Sequence, residues 1–138
     1  MIVNEIKKNV LLEVPIEMVW PYISTADGIG AWFMPNDLEP VEGKEFTLQA
    51  GPWGESPCKV TEVQSPNRFS FDWGKDWQVH FQLKAIDGQT ELTFIHAGWE
   101  EGKQTEFGES HDVVRPRMSE GWDGLLAKLK KTIESTAK

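Results

Sequence analysis

Hydrophobic and polar residues alternate along most of this chain, and the alternation sorts it into elements. Ile6, Val10, Leu12 and Val14 recur with period two, which predicts a strand over residues 4–14, with Lys8 interrupting its apolar face. The pattern changes at Pro15, a residue suited to the first turn of a helix because its missing N–H costs nothing there. In "PIEMVWPYIST" the residues Ile16, Val19, Trp20 and Ile23 fall on one helical side, and Pro21 predicts a kink or an early stop. "ADGIGAWFMP" follows as a loop with one short helical turn, ended by Pro35.

Period two returns over residues 44–50, 57–65, 67–74, 77–86 and 89–97, read as five successive strands. The separators are short, so neighbouring strands are antiparallel. Asp87-Gly88 is a hairpin signal, since both residues tolerate positive φ. In "FSFDWGKDWQVHFQL" the turn falls at Gly74-Lys75-Asp76. One side carries Phe69, Phe71 and Trp73, then Trp77, Val79, Phe81, Leu83 and Ala85, and it is expected to face inward. His80 is expected to face outward. A polar, Gly-punctuated loop containing His111 precedes the last element.

That element is a helix over about 114–135, with Pro116 in its first turn. Met118, Trp122, Leu125, Leu126, Leu129 and Ile133 share one face. Gly121 and Gly124 are out of place inside it, because each costs about 0.8–1 kcal/mol relative to Ala. A Gly on the buried side would allow a close approach or leave room. The order is therefore one strand, two short helices, five strands and a long helix. Only that helix is large enough to cover the apolar face of a curved antiparallel sheet of about six strands.

Composition narrows the function. The 138 residues fit one domain, residues 1–138. A formal net charge of −8 argues against nucleic acid and anionic lipid surfaces as partners. No segment approaches a membrane span in length, and no apolar leader opens the chain. A lone Cys58 rules out an intramolecular disulfide and suits a reducing compartment, so a cytoplasmic location is expected. No local signature makes Cys58 a nucleophile. The His residues are scattered, and no phosphate loop, nucleophile turn or paired-carboxylate motif is present, so neither a metal nor a cofactor is expected. The loop carboxylates Glu100, Glu101, Glu106 and Glu109 read as solvated. The seven Trp are the anomaly, each with a large apolar body and an N–H that needs a partner when buried.

Three stretches carry a resemblance: "VPIEMVWPYIST", "AWFMP" and "EGWDGLLAKLKKTIE". With the element order, they resemble the helix-grip fold of the START-like superfamily, the birch-pollen-allergen type. Within it, the chain is similar to the activator of heat-shock-protein-90 ATPase homologue family, in its stand-alone bacterial form. The resemblance implies an α+β domain whose curved sheet wraps around the C-terminal helix. These markers specify packing and are not catalytic. Members of the wider superfamily hold lipids, sterols, hormones or aromatic natural products under the long helix, and a few perform chemistry there. The eukaryotic co-chaperone joins such a domain to a separate N-terminal domain, for which this chain has no room.

The expectation is a binder of a small hydrophobic or aromatic molecule, lipid-like or polyketide-like. Candidate contacts are Trp32, Phe33, Phe71, Trp73, Phe81, Phe94, His96, Trp99, Met118 and Trp122, with His96 or an indole N–H as polar anchor. Trp20, Trp32, Trp99 and Trp122 either line an entrance together, or Trp20 and Trp122 belong to the core while Trp32 and Trp99 cap the ends. Burying each inward side chain contributes roughly 1.5–3 kcal/mol, so part of this set must be core. An empty apolar cavity of about 300 Å³ would cost roughly 7 kcal/mol at about 24 cal/mol per Å³. That is comparable with the stability of a whole domain, so a pocket here should be modest, partly wet or occupied. Two alternatives stand beside this. One is an interaction module linked to chaperones and the stress response. The other is a cyclase- or hydratase-type enzyme using His96 and a carboxylate as acid and base. A monomer or weak homodimer is expected.

Overall fold

Strand β1 (Ile6–Leu12) leads into helices α1 (Ile16–Ser24) and α2 (Ala26–Gly30). Strands β2 (Glu45–Gln49), β3 (Glu55–Gln64), β4 (Arg68–Trp73), β5 (Trp77–Ile86) and β6 (Gln89–Ala97) follow, and helix α3 (His111–Thr136) closes the chain. The computed structural model describes residues 5–49, 54–74, 77–100, 102–104 and 109–136. The expected turn residues Lys75 and Asp76, and the loop carboxylates Glu101 and Glu106, lie outside them.

The strands form one antiparallel six-stranded sheet in the order β1-β6-β5-β4-β3-β2. Only the β1–β6 pairing joins strands distant in sequence. It runs from Ile6 opposite His96 to Leu12 opposite Thr90, and brings both ends of the sheet's sequence together. A register shift in β3 between Val60 and Glu62 supplies the bend of a bulge. The Asp87-Gly88 turn adopts positive φ at both residues, 49° and 81°, as the hairpin signal requires.

The concave face holds α3. Its buried side is Val114, Trp122, Leu126, Leu129 and Ile133, with Met118 and Leu125 half-buried beside them. Lys8, which interrupts the apolar face of β1, is answered from the same helix by Asp123 at 3.0 Å. Gly121 and Gly124 are both exposed, and a Cβ on either would meet nothing within 4 Å, so neither serves a close approach. The close approach is made at Gly28 instead. A Cβ there would lie 1.9 Å from the carbonyl oxygen of Pro21, where α2 folds back on α1. Thr25 organises that corner, donating from Oγ1 to Pro21 O at 2.7 Å and accepting from Gly28 N at 3.0 Å. Pro21 stays within α1, and Pro15 precedes the first turn as the N-cap.

Both edge strands exchange hydrogen bonds with other segments near one end. Along β1, Lys130 Nζ donates to Leu11 O at 2.7 Å, and Glu13 N donates to Glu134 Oε2 at 2.9 Å. Along β2, Thr47 N donates to Asp37 Oδ1 at 2.7 Å, and Gln49 N donates to Pro35 O at 2.9 Å.

Ala85 departs from expectation. It is exposed at the end of β5 although the residues preceding it at alternate positions, Trp77 to Leu83, are buried. Helix α3 also starts earlier than residue 114. Ser110 Oγ accepts the N–H of Asp112 at 3.2 Å, an N-cap contact that begins the helix at His111 and leaves Pro116 inside it.

Candidate functional site

Alternation along each strand and pairing between strands set the inward residues in rows across the sheet. Trp73 lies opposite Trp77. In the next row Phe71 faces Val79, which faces His96. In the row after that, Phe69 faces Phe81, which faces Phe94. The turn after α2 adds Trp32 and Phe33, the segment after β6 adds Trp99, and α3 adds Trp122.

At one end of the sheet these rings enclose His96. Its imidazole stacks on Trp73 at 5.5 Å and 28° between planes. Trp77 meets it nearly at right angles, with centroids 4.8 Å apart. Trp99 lies at 4.7 Å and Trp122 at 5.9 Å. Trp122 Nε1 donates to His96 Nδ1 at 2.9 Å, and Trp99 Nε1 donates to the His96 carbonyl at 3.0 Å. His96 itself is 0 % exposed. Burial chiefly, with positive charge at His111 and Arg115 adding to it, pushes its pKa down to about 3. It is therefore neutral near pH 7 and a poor base, whereas acid–base catalysis wants a pKa near the working pH.

The cage runs inward without a break. Phe94 lies 4.2 Å from Trp122, Phe33 lies 5.0 Å from Trp122 and 5.7 Å from Trp73, and Phe81 meets Phe94 at 5.4 Å. Trp32 stacks on Phe33 at 5.6 Å, and its Nε1 donates to Tyr22 O at 2.8 Å. Eight of the ten candidate contacts (Trp32, Phe33, Trp73, Phe81, Phe94, His96, Trp99 and Trp122) thus join one network. Phe71 instead packs on Phe46 at 5.3 Å and beside Phe69, in the part of the core that Trp20 meets edge-on. Met118 packs half-buried on α3.

The entrance reading of the tryptophans needs correction. Trp32, Trp99 and Trp122 are buried, and only Trp20 is half-buried. A cleft of about 210 Å³ adjoins the cage, lined by Trp99, His111, Asp112, Arg115 and Pro116. A second groove, about 340 Å³ and of mixed lining, crosses Asn67, Arg68, Gln82, Leu83, Lys84, Glu91 and Thr93.

Two members of the cage were not among the sequence candidates. Trp77, expected to face inward but not named as a contact, meets His96, Trp99 and His111. His111, expected in a loop, is the first residue of α3 and 1 % exposed, with its Nδ1 accepting from Glu100 N at 3.1 Å. The N-cap signal of Ser110 would have placed it. Among the described residues, no three of His, Cys, Asp and Glu gather as a metal-holding group. Cys58 is buried in β3, away from solvent.

A curved antiparallel sheet gripping a long C-terminal helix, with an aromatic interior under that helix, defines the class: a helix-grip protein of the START-like type. The family model described as "Activator of Hsp90 ATPase homolog 1-like protein" matches residues 13–134, and the chain belongs to that family. No curated protein matches the chain in sequence. Among solved structures it is similar to protein BH1534 of Bacillus halodurans, with 40 % identity and a TM-score of 0.86, covering 96 % of this chain and 99 % of that one. The Aha1 dimer of Colwellia psychrerythraea shares the fold at 20 % identity and a TM-score of 0.78, over 96 % of this chain and 97 % of that one. DynU16, from the dynemicin biosynthetic locus, shares it at 18 % identity and a TM-score of 0.78, over 97 % of this chain and 48 % of that one. No helix among the described residues is long and apolar enough to cross a membrane.

Proposed function

We propose that this protein binds a small, flat hydrophobic or aromatic molecule, lipid-like or polyketide-like, between the curved sheet and α3. The observation that carries the reading is the continuous aromatic network around His96, which adjoins the cleft through Trp99 and His111. The rings already pack on one another, which avoids the cost of an empty pocket. A ligand therefore enters by parting them. Phe33, the half-buried ring of the network, and Met118, half-buried on α3, are the side chains that give way. A fold shared with a protein of the dynemicin biosynthetic locus supports such a ligand class. The single buried Cys58 suits a reducing, cytoplasmic setting. The test is a library of planar aromatic compounds, read by Trp fluorescence and melting temperature. Binding should quench the cage indoles and raise the midpoint, since a ligand that binds only the folded state stabilises it. A broad library that does neither rejects the reading.

The family description favours a second reading, a module that stimulates a chaperone ATPase. Such a module would act through its acidic outer surface and would need no ligand. Purified heat-shock-protein-90 whose ATPase rate is unchanged by excess of this protein excludes it.

A further inference from the structure

The hydrogen bond between Trp122 and His96 fixes more than a ring orientation. An indole N–H can only donate, so His96 Nδ1 accepts, and in a neutral imidazole the proton then sits on Nε2. That Nε2–H is buried with no hydrogen-bond partner among the described residues, and the same holds for Trp77 Nε1. The two rings are neighbours in one cage, 4.8 Å apart at 80°. Indoles beside them do have acceptors, Trp99 on His96 O and Trp32 on Tyr22 O. A buried donor without an acceptor is costly and unusual, and two in one cage call for a shared cause.

We propose that His96 and Trp77 form a donor-only subsite for one oxygen of the ligand. This rests on the ligand-binding reading above and narrows it: the guest is a flat aromatic ketone or quinone, not a bare hydrocarbon or an amine. A carbonyl oxygen has two lone pairs and can accept from both N–H groups. An ammonium or amine hydrogen would find only other donors. The rings of Trp73 and Trp99 flank the same spot and suit the planar body that carries such an oxygen. Burial above all, with charge at His111 and Arg115 adding to it, opposes protonation of His96, so Nδ1 remains an acceptor for Trp122 and Nε2–H a neutral donor.

The test uses a matched pair, fluorenone and fluorene, which share a tricyclic frame and differ in one carbonyl. Both are titrated into the full chain by Trp fluorescence and calorimetry. Fluorenone should bind roughly 10-fold or more tightly, the return on two buried hydrogen bonds. Trp77→Phe, which keeps a ring and loses the N–H, should remove most of that preference, bringing the ratio of the two affinities toward one. Infrared spectroscopy of fluorenone bound to the wild-type protein gives a readout that needs no variant. The carbonyl stretch should fall below its frequency in hexane. Equal affinities for the pair, a preference intact in Trp77→Phe, or a stretch at the hexane frequency would each overturn the oxygen subsite. If both compounds bind alike, only this inference fails. If neither binds, this inference fails too, and the broad library of planar aromatics decides the ligand reading.

Discussion

Acid should destabilise this protein through His96 before its carboxylates titrate. The imidazole is fully buried, and its pKa falls from 6.5 to about 3. Among the groups that act on it, His111 and Arg115 of α3 bring positive charge, and its other close neighbours are the uncharged indoles of Trp73, Trp77, Trp99 and Trp122. A depressed folded-state pKa means that the unfolded chain takes up the proton first. The stability tied to neutral His96 is thus present above the unfolded pKa of 6.5 and is lost as pH falls toward about 3. Between about pH 7 and about pH 5, the unfolded histidine gains most of a proton and the folded one almost none. The linkage integral over that interval is about 2 kcal/mol. At roughly 4 °C per kcal/mol for a chain of this size, the midpoint should drop by about 8 °C from this group. Urea unfolding across that interval measures it directly. His96→Gln is the control, because it cannot titrate and still offers Trp122 an oxygen acceptor. Its stability should be lower at neutral pH but flatter with pH. If the wild-type and His96→Gln profiles run parallel over the interval, His96 is not the group responsible and the burial argument is wrong.

Two glycine predictions run in opposite directions. Gly28→Ala places a Cβ 1.9 Å from a backbone oxygen that cannot swing away, so urea unfolding should show a loss of roughly 2 kcal/mol or more, as overpacking does; a smaller effect would mean that α1 and α2 separate freely. Gly121→Ala and Gly124→Ala sit on the exposed face of α3 with open space around them, and each should raise stability by about 0.8–1 kcal/mol. No gain in chemical denaturation at either position would show that these glycines serve something besides the isolated helix.

The chain's own pattern determined the elements and their inward faces. Period two marked β5 and β6 at their observed bounds, Trp77–Ile86 and Gln89–Ala97, because alternation over nine or ten residues leaves little freedom in register. The run from Trp122 to Ile133 marked the face of α3 in the same way. Most of the candidate site was legible too, since large aromatics on those faces had to be buried together. Tertiary structure decided which of them meet. Phe71 and Phe81 look equivalent in sequence, yet strand order sets Phe71 against Phe46 and Phe81 against Phe94. The glycines of α3 drew suspicion from propensity alone, while the one that could not be replaced, Gly28, is defined by a carbonyl seven residues earlier in a different helix. Trp77 and His111 entered the cage through pairing and through a helix start set by Ser110. The unpaired donors of His96 and Trp77 exist only in three dimensions. Hydrogen-bond satisfaction depends on what else is near, and no local pattern in the chain encodes that.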